Sequence, residues 1–332
     1  MIRPSRRQFA QGVGVASIAF LAGCAGLGGP FSASPPAARV RRVVYLSGGA
    51  NVSSDLMNVF RLGLSDLGYV DGRDIVIEER YVSGDNQVAE FAAELARLQP
   101  EVIVVPAAAV ARAVQAATTT IPIVSVGQTD LLALGLTDSL ARPSGNVTGL
   151  STPSLGSKQL QLLQEAVPRL SRVANLEDIN IPVSHEPYEV AARALGLEIL
   201  FVGVAGPDDL EPAFSAAMRE RADGLIVTGG PFIQQSAEPR IAGLALQRQL
   251  PSMWQRSEPV RNGGLMAYGA NRADLFRRAA TYVDKILKGA RPTELPIEQP
   301  TRFDFAINLR TAQALGLTIP PSVLAQATEV IQ

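Results

Sequence analysis

The chain is short of the residues that most protein chemistry needs. Its 332 residues hold one cysteine, Cys24, and one histidine, His185. One cysteine excludes a disulfide within the chain, and metal sites built from Cys and His lack ligands. A Ser-His-Asp or Cys-His group would have to use His185, and no nucleophile motif accompanies it. In Asn-Ile-Pro-Val-Ser-His-Glu-Pro a loop or helix-start position is the expected place for that side chain. The net charge is −1, so no basic stripe or aromatic platform points to nucleic acid. The loop Ser47-Gly48-Gly49-Ala50-Asn51-Val52 lacks the third glycine of a dinucleotide fingerprint, and no Walker motif occurs. Beyond the N-terminus no apolar run reaches the ~20 residues that cross a bilayer. No catalytic, metal or cofactor set is expected from this inventory.

What is present begins with the first residues. Arg6 and Arg7 precede a short, weakly apolar run that Gln11, Gly12 and Gly14 interrupt and that ends in Leu21-Ala22-Gly23-Cys24. A charged start, a short apolar stretch and a small-residue end describe an export signal, and Ser-Arg-Arg-Gln-Phe suits the twin-arginine route. The ending resembles a lipobox, in which the cysteine sulfur takes lipid and the chain is cut just before it. The expectation is a signal peptide over residues 1–23, lipid on Cys24 and a location in the cell envelope, extracytoplasmic and membrane-anchored. An ordinary signal-peptidase cut near Ser32-Ala33-Ser34 is the competing reading, and a buried N-terminal helix the bland one. Residues 24–38 continue as Gly, Pro, Ser and Ala, a composition that cannot build a core and reads as a flexible tether.

From Arg39 the chain is longer than one core usually holds, which favours two domains. Short buried-strand patterns alternate with amphipathic helices: Arg41–Gly49 strand, Ser53–Tyr69 helix, Asp74–Val82 strand, Asn86–Gln99 helix, and so on. In the first helix Leu56, Val59, Phe60, Leu62 and Leu67 are read as the apolar face. A further helical segment is read over Thr129–Leu140. Strand–helix units in a row argue parallel sheets covered on both faces, so the fold class is α/β with two Rossmann-like lobes. In such sheets ligands sit beyond the carboxyl ends of strands. The loops there are Ser47–Ala50, Pro106–Ala108, Gly127–Asp130, Asp178–Asn180 and Thr228–Pro231. They are small and polar, which lets a ligand approach the backbone, although ordinary turns have the same composition.

The segments FRLGLSDLGYVDGRDIVIEERY, IPIVSVGQTDLLALGLTDSLARPSGNVTGLS and AATYVDKILKGARPTELPIEQPTRFDFAINL carry a further signal. With them, residues 41–331 resemble substrate-binding lipoproteins of ABC importers, the group related to tryptophan/tyrosine-type binding proteins. The resemblance implies the type I periplasmic-binding-protein fold with three hinge crossings. It implies an N-terminal lobe of residues 39–150 plus 270–300 and a C-terminal lobe of 151–269 plus 301–332. It implies a small-molecule ligand, an amino acid or related compound, held between the lobes by hinge closure, and ABC permease subunits as membrane partners. A ligand-sensing receptor for an envelope signalling system is the alternative, and an exported α/β enzyme the third. For an amino-acid-like ligand, Ser47, Gly48 and Gly49 would hold the carboxylate and Asp130 the ammonium. Gln128, Thr129 and Asn180 would add neutral hydrogen bonds, Ala107, Ala108, Gly229 and Gly230 would admit the ligand to the backbone, and Tyr268 would pack against it. Where many relatives read Asp-Pro-Val, this chain reads Thr129-Asp130-Leu131, so no individual ligand is carried over.

Overall fold

The computed structural model describes residues 40–48, 54–82, 85–127, 130–180, 184–230 and 232–332. The expected signal, the tether and Cys24 lie outside these residues, as do Gly49, Gln128 and Thr129.

The first half alternates strand and helix: β1 (Arg41–Gly48), α1 (Ser54–Asp66), β2 (Ile75–Val82), α2 (Asp85–Leu98), β3 (Val102–Val105), α3 (Ala108–Ala117), β4 (Ile123–Val126) and β5 (Val147–Leu150). All pairings are parallel, in the order β2-β1-β3-β4-β5. The strands read as unbroken apolar runs because both faces are covered. On β1, Val43 and Tyr45 face one core, with Phe60 and Leu64 of α1; Val44 and Leu46 face the other, with Leu95 and Val114. Each fully buried side chain of this size contributes about 1.5–3 kcal/mol.

The second half runs α4 (Gly156–Ala166), β6 (Arg172–Asp178), α5 (Glu186–Leu195), β7 (Glu198–Val204), α6 (Leu210–Arg219), β8 (Gly224–Thr228), α7 (Glu238–Gln247), β9 (Ser252–Trp254), α8 (Glu258–Arg261) and β10 (Met266–Ala270). The chain then forms α9 (Arg272–Leu287) and closes with β11 (Phe303–Asn308), α10 (Leu309–Ala314), α11 (Pro321–Leu324) and β12 (Glu329–Ile331). The second sheet has the order β12-β11-β10-β9-β8-β6-β7, parallel except where β11 meets β10. The fold is α/β with two parallel-sheet lobes.

Helix α9 leaves the second sheet and joins the first. Its Leu275, Phe276, Ala279, Ala280 and Val283 complete the core around β1 and α1. Asn271 starts it: its side chain accepts the Asp274 N–H at 2.8 Å, satisfying a donor that the first turn leaves free. Three segments therefore pass between the lobes, after β5, after β10 and before β11, and they are hydrogen-bonded side by side. Ser151 N–H donates to Glu298 O at 2.9 Å, Glu298 N–H to Gly149 O at 3.0 Å, and Asn271 N–H to Arg302 O at 3.0 Å. Gly149 makes the first of these passages possible. Its φ is +110°, and a Cβ there would stand 2.3 Å from Ser125 O, so no other residue fits.

Two local expectations give way. Leu62 is 55% exposed and Leu67 38% exposed; the buried face of α1 runs instead through Leu56, Phe60 and Leu64. Residues 131–136 form turns rather than a helix. Gly135 has φ +65°, and Leu131 and Leu136 are pulled inward while Leu132 points out. The leucines and alanine of this stretch favour a helix by propensity, but Gly135 turns the backbone away from one.

Candidate functional site

An open parallel sheet leaves a crevice where the strand order reverses, outside the carboxyl ends of the strands. In the first sheet this point lies between β1 and β3, in the second between β6 and β8. Ser47, 3% exposed, and Gly48 end β1. Ala107 precedes α3 as its N-cap and Ala108 is the first helical residue. The pairing of β1 with β3 puts these two loops side by side.

In the second lobe Asp178 ends β6 and is 2% exposed. Its Oδ1 accepts the Asn180 backbone N–H at 3.1 Å and the Asn180 amide at 2.9 Å; its Oδ2 accepts the Phe232 N–H at 3.1 Å. One buried carboxylate thus ties the loop after β6 to the loop after β8. Gly230 passes against it, and a Cβ at that position would stand 2.5 Å from Oδ2. Gly229 lies beside the Gln234 side chain. Asn180, Gly229 and Gly230 are therefore brought together by Asp178, which the sequence placed in this loop without a role.

The carboxyl ends of β9 and β10 enclose a cavity lined by Gln255, Arg256, Glu258, Gly269, Arg272 and Asp304, among others. Gly269 admits the Gln255 carbonyl, which a Cβ would meet at 1.9 Å. Polar side chains of the walls are paired. Arg272 Nη1 donates to Glu258 Oε1 at 3.2 Å, Arg256 Nε to Glu238 Oε1 at 3.1 Å, and the Asn271 amide to Asp304 at 2.8 and 3.1 Å. Burial pushes the Glu238 carboxyl up, against the pull of Arg256. Burial likewise pushes the Arg272 guanidinium down, against the pull of Glu258. Arg272 opens α9 of the first lobe and Glu258 opens α8 of the second, so this pair bridges the lobes at the cavity.

The other expected residues have defined settings. Asp130 Oδ1 accepts the N–H groups of Leu132 and Ala133 at 3.0 and 3.1 Å, fixing the turn after β4. Tyr268 stacks on Phe303 with centroids 5.6 Å apart and planes 8° apart, and its carbonyl accepts the Gln159 amide at 2.8 Å. His185 stands just before α5, stacks on Phe201 at 3.7 Å and approaches Glu177 at 2.9 Å. Among the described residues no group of His, Cys, Asp or Glu is placed to hold a metal, and no helix is long and apolar enough to cross a membrane.

The sequence model of the ABC transporter substrate binding protein family matches residues 51–331. The chain belongs to that family. A tyrosine-binding protein of Clostridioides difficile (strain R20291) is 24% identical over 262 residues, 78% of this chain and 75% of the relative. A domain from Streptococcus pneumonia, solved in complex with L-Trp, is 25% identical with a TM-score of 0.81, over 88% of this chain and 100% of that one. A periplasmic ribose ABC transporter structure from Conexibacter woesei, 13% identical with a TM-score of 0.53 over 84% and 96%, shares the fold. This ABC transporter substrate-binding protein has the type I periplasmic-binding-protein fold. It takes up a small-molecule substrate on behalf of a transporter, which places it on the extracytoplasmic side and makes a permease its partner. The family is one of binding proteins rather than enzymes, and the comparisons lend nothing to a signalling role.

Proposed function

We propose that this substrate-binding protein is exported, held at the membrane by lipid on Cys24, and closes two lobes on an amino acid or a related small molecule. The observation that carries the reading is the trio of adjacent segments that join the lobes. Three adjacent extended segments allow rotation about one axis while each lobe keeps its own core. Residues 39–150 plus 270–300 form one moving body in this reading, and 151–269 plus 301–332 the other. The solute favours the closed form because it then touches both lobes at once.

Ser47, Gly48, Gly49, Ala107 and Ala108 supply the first wall, with Gln128 and Thr129 beside them. Asn180, Gly229 and Gly230 supply the second, and Tyr268 the floor near the crossings. Where the solute carries an ammonium, Asp130 supplies a carboxylate with one oxygen outside its own turn, and Glu258 and Asp304 at the cavity supply two more. The tyrosine and tryptophan bound by the relatives make these two amino acids the first compounds to try. A thermal-shift screen of the processed protein tests the reading: a binder at about 100 times its Kd stabilises by about 2.7 kcal/mol. A rise in Tm that scales with concentration is expected. Turnover of the bound compound would contradict the assignment.

A further inference from the structure

The two sheets have four edges, and three of them are guarded. Strand β2 carries Glu78, which pairs with Arg42 at 2.8 Å and Arg80 at 3.2 Å, and Glu79, which pairs with Arg61. Strand β5 is four residues long and lies under the third crossing. There the Thr148 hydroxyl donates to Leu295 O at 2.8 Å and the Glu298 N–H to Gly149 O at 3.0 Å. Strand β12 is three residues long, and its Glu329 pairs with Arg261 at 2.7 Å. Short, charged and covered edges are the usual means by which a sheet avoids pairing with another chain.

Strand β7 has none of these guards. It is seven residues long, and its one charge, Glu198, is taken up by Arg172 Nε at 2.6 Å. The Glu198 N–H donates to Ser171 O at 2.8 Å, and Val204 O accepts the Ile179 N–H at 3.1 Å. Glu198, Leu200, Val202 and Val204 therefore turn their backbone toward β6, and Ile199, Phe201 and Gly203 turn theirs outward. Among the described residues nothing takes up those outward N–H and C=O groups. From Ile199 to Val202 the side chains are half-buried, whereas the central strand β8 is buried throughout. Ile179, 61% exposed, lies over Gly203, where a Cβ would stand 2.2 Å from its side chain. Helix α5 covers one face of β7 and α6 the other. Both helices start acidic and end basic: Glu186 and Glu189 against Arg193 in α5, Glu211 against Arg219 in α6.

We propose that β7 is the docking edge for a second copy of this chain, joined antiparallel about a two-fold axis at Phe201. In that register all three outward residues are used. Ile199 faces the partner's Gly203 and Phe201 faces the partner's Phe201, each pair exchanging both of its hydrogen bonds. Glu198 faces the partner's Val204, so like charges do not meet on the strand. Ile179, lying over Gly203, gains the partner's Ile199 as an apolar neighbour. The antiparallel sense also brings the acidic start of α5 and of α6 toward the basic end of its counterpart, which makes the surface complementary to itself, as a two-fold interface requires. Strand β7 stands at the opposite end of its sheet from β10, β11 and β12. Pairing there leaves the crossings and the cavity free, so each copy goes on binding solute.

The test uses the processed protein with Cys24→Ala, so that lipid cannot drive association. Sedimentation equilibrium from about 1 μM to about 1 mM covers the affinities that one strand and two helix flanks can supply. The mass is expected to rise from monomer to dimer and stop there, and the amides of Ile199, Phe201 and Gly203 to exchange more slowly as the dimer fills. Arg193→Glu changes an exposed side chain; it should raise the dimer Kd about 10-fold, and Glu189→Arg added to it should restore the affinity. Phe201→Lys and Phe201→Glu set like charges face to face at the axis. Each should weaken pairing about 100-fold, and an equal mixture of the two should pair again. Melting reports the folding of each variant, and where the Phe201 variants do not fold, the Arg193 and Glu189 variants decide. A monomer at every concentration overturns the proposal. So does a dimer whose three amides stay fast, or one that ignores these variants. Amides already slow in the monomer overturn it by showing that a segment of the same chain covers the edge. Growth past the dimer without limit overturns it by showing unspecific aggregation.

Discussion

Asp178 shows how much one side chain settles in this molecule. With three donors on its two oxygens and almost no exposure, it holds two loops of the second lobe in register. Asp178→Ala is expected to lower stability by about 1.5–3 kcal/mol, since the bonds are charge-assisted. Gly230→Ala drives a methyl into the same carboxylate and is expected to cost about 1–3 kcal/mol. Denaturant midpoints check both, and wild-type midpoints would remove Asp178 as the organiser of the site. Glu238 offers a pH test. Its folded pKa is raised, chiefly by burial. The stabilisation this carries is present below the unfolded pKa and lost as pH rises through the folded one. Between about pH 4 and about pH 7 the stability difference should therefore move in favour of Glu238→Gln over the wild type. A difference that is flat, or moves the other way, contradicts the assignment. At this scale the sequence was legible only in part. Ser47, Ala107, Gly229 and Gly230 could be placed at strand ends because strand ends followed by small residues are a local pattern, and whether they touch a solute is a separate question for the binding tests. Asp178 was placed in a strand-end loop but given no role, and Arg272 was not singled out, because each is ordinary in its own segment and takes its meaning from partners elsewhere in the chain.

Elements show the same division. The alternation of strands and helices was plain from Arg41 onward because both sheets are covered on two faces, which makes each strand an apolar run. The segment from Asp130 to Leu136 was misread as a helix, since propensity does not record the turn that Gly135 makes. Leu62 and Leu67 were placed inward on residue type: leucine is common on surfaces too. Between elements, Gln159 is the most telling polar contact. It is 0% exposed in α4, donates to the Tyr268 carbonyl in β10, and accepts from the Tyr188 hydroxyl of α5 at 3.4 Å. Gln159→Ala removes both bonds from a fully buried position and is expected to cost about 1–3 kcal/mol. Urea unfolding measures it; a loss below about 0.5 kcal/mol would show that the bridge carries little.

For the whole molecule, the two-lobed α/β pattern pointed the same way as the family does. A protein that binds and releases needs shape change rather than reactive side chains, and here the three crossings supply a place for it. The anchoring expectation belongs to this scale as well: Cys24→Ala should move the exported protein from the membrane fraction to the soluble fraction. Retention in the membrane would assign the attachment elsewhere. The central claim is that a solute draws the two lobes together, and small-angle X-ray scattering of the processed protein tests it most directly. With a compound that has raised Tm in the screen, the radius of gyration is expected to fall as the compound is titrated and to level off at saturation. A radius unchanged by a saturating binder would contradict the account.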